Sequence, residues 1–330
     1  MTLYQYADVT LASAWPLDEL RPVTPRARRQ ALPAAITICA AGAPLPEPEP
    51  ADWLHTWRAA CGDPALALAR TAGGYLLRFP RLADFSMSAD GRRVHVWPAP
   101  GVNAETVRHL LLDQALPRLL AHRGRLALHA GAARVGAQAI AWLGPTGAGK
   151  STLAASFHGA GYPLLSDDGL LLSAAREGVQ AVGTYPSLRL WPAAVDGLFG
   201  EAPAAAPMAH YSSKQRLLLE VDADEGDEPL PLKALFVLAP VSATTETAVT
   251  LTPISARAAC MALIANAFQL DVTDKRRAAD ALAQAAACAA RIKAFRLIFP
   301  RTFGALPAVR AAMLQAPGAE EDADCPPGAH

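Results

Sequence analysis

Cysteine is scarce and unpatterned in this 330-residue chain. The five cysteines, Cys39, Cys61, Cys260, Cys288 and Cys325, are scattered and odd in number, with no Cys-x-x-Cys pair. That argues against a disulfide framework and for free thiols in a reducing, cytoplasmic setting. Net charge is also lacking: 30 basic residues balance 30 acidic ones. An electrostatic grip on nucleic acid or an anionic membrane is therefore not expected. Uninterrupted apolar runs are missing too. None reaches the roughly 18 charge-free residues of a membrane span. The N-terminus lacks a basic start followed by an apolar block, so no secretory signal is expected. Lysine is sparse, only five residues, in an Ala- and Arg-rich composition. What remains is a chain 52% hydrophobic, long enough for two domains or one large one.

The chain is organised around Gly144-Pro145-Thr146-Gly147-Ala148-Gly149-Lys150-Ser151-Thr152, which fits the phosphate-loop pattern G-x-x-x-x-G-K-[ST]. Ile140-Ala141-Trp142-Leu143 leads in as an apolar strand, and Leu153-Ala154-Ala155-Ser156-Phe157 leads out as a helix. Glycines let successive N–H groups turn inward onto phosphate oxygens, and the new helix adds the positive end of its dipole. Gly144 and Thr146 to Thr152 are the expected nucleotide contacts. Lys150 reaches the β- and γ-phosphates in this reading, and the Ser151 hydroxyl ligates magnesium, with ATP and Mg²⁺ as cofactors.

Residues 1–122 read as a strand-rich α+β region, with strands near 3–6, 9–11, 74–79 and 93–97. Trp53, Trp57 and Trp97 are candidates for a small core. Leu45 to Pro50 reads as an exposed Pro/Glu linker. Asn103 caps a helix to about Leu120, bent by Pro117 near its end. Residues 123–316 continue as α/β. One strand runs from Leu126 to Val135, and a turn at Gly136-Ala137-Gln138 makes a hairpin with the strand feeding the loop. Strands near 164–172, 217–221, 234–238, 249–251 and 295–298 follow. Helices are expected at 193–198, 255–269, 275–292 and 306–314, with 184–192 as a loop. Residues 202–207 are low-complexity, and 317–330 read as a disordered acidic tail.

Asp167 and Asp168 follow Ser151 after one helix and one strand, which puts them beside the loop at a strand's carboxyl end. One carboxylate can hold magnesium and the other can take a proton from an attacking hydroxyl. Asp-Asp-Gly is also good turn chemistry. Leu217 to Asp222 offers a rival apolar strand ending in acid, or a plain core strand with an acidic exit. His129, on the strand next to the loop strand, either orients an aspartate or is a satisfied core histidine.

Taken together, His129, Gly144 to Thr152 and Ser166-Asp167-Asp168 resemble the HPr kinase/phosphorylase family. The likeness covers roughly 125–200 well and extends loosely to about 315. It implies a P-loop domain with a mixed sheet and a hairpin before the loop. It implies Asp167 as catalytic base, His129 as its support, Lys150 at the phosphates, and Asp168 with Ser151 on magnesium. Leu188-Arg189-Leu190 resembles the family's arginine-bearing segment, bringing Arg189 to the transferred phosphate; Lys214 and Arg216 are further cationic candidates. Thr152 departs from members acting on the phosphocarrier protein, which carry an acid there. Tyr6 to Leu17 and Leu116-Pro117-Arg118 look more like divergent HPr-kinase-like proteins, among them lasso peptide precursor kinases. The resemblance thus implies an ATP/Mg-dependent kinase acting on a serine of a peptide or protein, in an oligomer. A small-molecule kinase for free serine or a sugar, and a non-catalytic nucleotide-gated binding protein, remain alternatives.

Overall fold

Strands dominate the N-terminal third because apolar side chains recur there every second residue. The computed structural model describes residues 1–23, 35–40, 52–59, 61–199, 205–209, 211–219, 228–240 and 248–317. Eight strands form one sheet: β1 (Thr2–Tyr6), β2 (Val9–Ser13), β3 (Ile36–Ala40), β4 (Trp53–Arg58), β5 (Pro64–Thr71), β6 (Gly74–Phe79), β7 (Ala83–Ser88) and β8 (Arg93–Pro98). Their order is β1-β2-β3-β8-β7-β6-β5-β4, with β3 parallel to both its neighbours. In β7, Ala83, Phe85 and Met87 are buried while the residues between them are half-exposed, the alternation of a one-sided sheet. Trp53, Trp57 and Trp97 are not the expected core: each is half-buried. Arg78 lies over Trp53 at 5.2 Å and Arg118 over Trp57 at 6.0 Å.

The helical segment after β8 is broken one turn earlier than expected. Asn103 caps α1 (Ala104–Leu110) by accepting from the Thr106 N–H at 3.1 Å. A π turn occupies Leu111–Ala115, and α2 (Leu116–His122) follows with Pro117 in its first turn. Pro117 cannot donate, and its ring crowds the preceding turn, so that turn widens. The Leu116 N–H goes back to the Leu111 carbonyl. Leu112, deprived of that donor, accepts instead from the Tyr6 hydroxyl at 2.6 Å.

The chain divides into two compact units: Met1–Arg125 with Pro207–Ser212 and Gln269–Ala279, and Leu126–Ala206, Ser213–Phe268 and Asp280–His330. The second unit is mixed α/β. Its strands are β9 (Leu126–Leu128), β10 (Ala130–Val135), β11 (Gln138–Leu143), β12 (Leu164–Ser166), β13 (Leu170–Ala175), β14 (Gly178–Gly183) and β15 (Ser187–Leu190). After β16 (Ala205–Ala209) come β17 (Ser212–Leu218), β18 (Leu230–Leu238), β19 (Thr250–Pro253) and β20 (Lys293–Ile298). The main sheet runs β12-β10-β11-β18-β14-β13-β9, with β20 also on β18 and β19 on β20. β11–β18 and β18–β20 are parallel, whereas β10–β11 is the expected antiparallel hairpin.

Helices α3 (Lys150–Gly159), α4 (Pro192–Leu198), α5 (Ala256–Ala265), α6 (Lys275–Ala289) and α7 (Leu306–Gln315) complete the elements. β11 serves two cores: Ile140 and Trp142 join Phe157, Phe236 and Phe295, while Ala139, Ala141 and Leu143 join Leu128, Leu235 and Leu263. Burial on both faces explains its continuous apolar run. Among the described residues no helix is long and apolar enough to cross a membrane. The Pro/Glu linker, residues 202–204, the acids Glu220 and Asp222 and the tail beyond residue 317 lie outside the described residues, while the rest of the low-complexity stretch enters β16.

Candidate active site

The glycine-rich stretch joins β11 to α3. Gly147 and Gly149 have φ of +81° and +86°, in the left-handed region that other residues reach only with strain. A side chain at Gly147 would meet nothing within 4 Å, so the turn opens onto free space. Behind it the Trp142 indole donates to the Lys150 carbonyl at 3.1 Å and stacks on Phe157, ring centroids 5.2 Å apart. Gly131 of the adjacent strand leaves room for that indole: a Cβ there would fall 2.4 Å from Trp142 Nε1.

Lys150 is 7% exposed, and its ammonium donates to the carbonyls of Gly144 at 2.7 Å and Pro145 at 3.3 Å. Among the described residues it forms no ion pair. Burial pushes its pKa below the ordinary value; the Lys214 charge adds to this, and Asp168 and Asp167 oppose it. The two aspartates and Lys150 therefore act on one another electrostatically.

Topology brings the acids to the loop. β10 begins at Ala130, opposite Leu143 at the end of β11, and β12 ends at Ser166, opposite Ala132. His129, Gly144 and Asp167 thus emerge at one end of the sheet. The strand expected from Leu126 to Val135 is interrupted at His129. β9 pairs with β13, whereas β10 pairs with β11 and β12. In the break, the His129 N–H donates to the Asn266 carbonyl at 2.8 Å. Its ring Nδ1 lies 2.7 Å from Asp168 Oδ1.

Arg189 ties the acids together. It sits on β15, a strand paired antiparallel with β17 where a loop was expected, and faces Arg216 across the pair. Its Nη2 and Nε donate to Asp167 Oδ1 at 2.6 and 3.2 Å, and its backbone N–H donates to Asp167 Oδ2 at 2.9 Å. Its Nη1 meets Asp168 Oδ2 at 2.8 Å. The Asp167 side chain is 0% exposed and that of Asp168 is 17% exposed. Burial disfavours ionisation of Asp168, but Arg189 and His129 outweigh it and hold the carboxyl well below the usual carboxylate range. Ser166 Oγ accepts from the N–H groups of Asp168 and Gly169 at 3.3 and 3.0 Å, so Asp-Asp-Gly is a turn and a charge cluster at once.

The expected pairing of His129 with Asp167 is thus not found; His129 holds Asp168. Arg189 joins Asp167 and Asp168 in one charge cluster. Lys214 lies 5.5 Å from the Trp191 ring, and Arg216 is buried. Ser151 and Thr152 are half-exposed on the first turn of α3, and Thr146 is exposed on the loop. Arg301, which drew no attention in the sequence, donates to the carbonyls of Ala148 and Ala239. It carries no motif; only its place just beyond a C-terminal strand marks it. No family model matches this chain, and comparison with curated proteins finds no match either. Among the described residues no group of three or more His, Cys, Asp or Glu side chains is arranged to hold a metal ion.

Proposed function

We propose that the second unit is a P-loop kinase of the HPr kinase type, moving the γ-phosphoryl group of ATP to a serine hydroxyl of a peptide or protein. A lasso-type precursor is the acceptor the family resemblance favours. The observation that carries the reading is the meeting of Asp168, His129 and Arg189 with Lys150 at the end of the sheet where the glycine loop opens α3. The donor set fits an oligophosphate. Lys150 is a buried cation answered only by neutral carbonyls, it begins a helix whose N-terminus favours anions, and the turn before it has open space.

The chain's own groups divide the work as follows. The loop amides and Lys150 hold the triphosphate. Ser151, on the first turn of α3, is the side chain that would hold magnesium, which would supply positive charge to offset that of the phosphates. Asp168 accepts the proton of the incoming serine hydroxyl as the new O–P bond forms and the bond to the β-phosphate bridging oxygen breaks. Its lowered pKa keeps it ionised at neutral pH. In a loose phosphoryl transition state the acceptor's chief task is to orient the hydroxyl. His129 fixes the Asp168 carboxylate. Asp167, with both oxygens bound to Arg189 and none exposed, is a positioning residue that fixes the guanidinium.

The test is transfer from γ-labelled ATP to serine-containing peptides by wild type and Asp168→Asn. The variant is expected to lose roughly 100-fold or more in transfer rate while its ATP affinity stays within about threefold. Transfer at the wild-type rate in Asp168→Asn ends this assignment.

A further inference from the structure

A cavity of about 200 Å³ opens beside the glycine loop, walled by Gly147, Gly149 and Thr152 on one side and by Phe299, Arg301 and Phe303 beyond β20 on the other. We propose that it receives the nucleobase of the bound nucleotide, stacked against the Arg301–Phe303 wall. The inference rests on the phosphate-loop reading above. Three loop residues line both places, so a group covalently joined to phosphates on the loop amides comes to lie at the cavity.

The chemistry of the wall suits a flat heteroaromatic ring. Phe299 is buried, and the Arg301 guanidinium lies over its ring, 4.1 Å from the centroid. The guanidinium cannot swing away, because its two terminal nitrogens donate to the Ala148 and Ala239 carbonyls. Fixed, planar and cationic, it is a stacking surface for a base. Phe303 is 42% exposed, unusual for a phenylalanine. Yet its position is set: it packs so closely on Gly197 of α4 that a Cβ there would fall 2.3 Å from the ring. A held but uncovered ring is surface that a ligand covers. The volume is below that of pockets for larger ligands and suits one ring system.

Isothermal titration calorimetry on the full chain, with ATP and with inorganic tripolyphosphate, tests this. Wild type binds ATP more tightly than tripolyphosphate. Phe303→Ala weakens ATP roughly tenfold, the scale of one lost base–aromatic stack, and leaves tripolyphosphate unchanged. Phe303→Leu, which keeps apolar cover over Gly197, gives a loss in the same direction. Lys150→Ala weakens both ligands. If both Phe303 variants keep the wild-type ratio of the two affinities, or weaken both ligands equally, the base does not stack here although the loop reading stands. If wild type binds neither ligand, the loop reading itself falls and the base site with it.

Discussion

Asp168 is held in place by two partners of different kind, and this makes its ionisation a property of the fold. In the unfolded chain its carboxyl titrates near the ordinary 3.8; in the folded chain Arg189 and His129 overcome the effect of burial and lower that value. The fold therefore prefers the ionised form. Its contribution to stability is complete above the unfolded value and is lost as pH falls from there toward the folded one. Thermal unfolding of wild type and Asp168→Asn across pH should show this directly. The gap in Tm is expected to be constant above about pH 5 and to narrow below about pH 4. A gap that widens on acidification would mean the carboxyl is not held ionised. Removing Asp167 would take from the buried Arg189 the carboxylate to which its Nη2, Nε and backbone N–H donate, the situation in which broken buried pairs cost most.

At the scale of elements, the strand–loop–helix unit depends on one missing Cβ. Gly131 of β10 admits the Trp142 indole, which stacks on Phe157 of α3 and donates to the Lys150 carbonyl. Gly131→Ala puts a methyl group 2.4 Å from that indole nitrogen. The ring must move, and the first turn of α3 loses its anchor. The expected cost is about 1–3 kcal/mol, seen as a lower Tm, and on the function proposed above ATP binding weakens with it. Unchanged Tm and affinity would show that the indole has other room.

This unit was legible in the sequence because its pattern is local: an apolar run, glycines where the backbone needs them, Lys150, then helix formers. The hairpin ahead of it was legible for the same reason. His129 was not placed correctly, because 126–135 reads as one apolar strand; the change of partner from β13 to β11 and β12 is a long-range event with no local mark. Arg189 was recognised by resemblance but set in a loop, since its strand exists only through pairing with β17. β3, β4, β5 and β7 carry no strand expectation in the sequence. In β5, Ala65-Leu66-Ala67-Leu68-Ala69 consists of residues with little strand preference of their own, and pairing with β4 and β6 decides the outcome. Arg301 and Phe303 left no trace, because what joins them to the loop is contact across roughly half the chain.

On the scale of the whole molecule, the first unit is discontinuous. Besides Met1–Arg125 it takes in Pro207–Ser212 and Gln269–Ala279. The later pieces carry polar partners for the first. The Asp271 side chain is fully buried and accepts from Arg70 of β5 at 3.0 Å, and Arg277 donates to the His122 carbonyl. Arg70 is more than half exposed, so the ion pair itself is worth little. Tyr75 and His122, in edge contact with ring centroids 5.1 Å apart, lie in the same cluster as Asp271 and Arg277. A fragment ending at residue 125 lacks Asp271 and Arg277 and leaves that cluster half-built. Such a fragment is expected to unfold at a lower urea concentration than the first unit does within the full chain, or without a cooperative transition. Hydrogen exchange at β5 and β6 amides reads both cases on one scale. Equal protection in fragment and full chain would mean that the first 125 residues fold alone and the later segments merely rest on them; reduced protection centred on Tyr75 and its neighbours would show that the chain must complete its second unit's excursions before the first is finished.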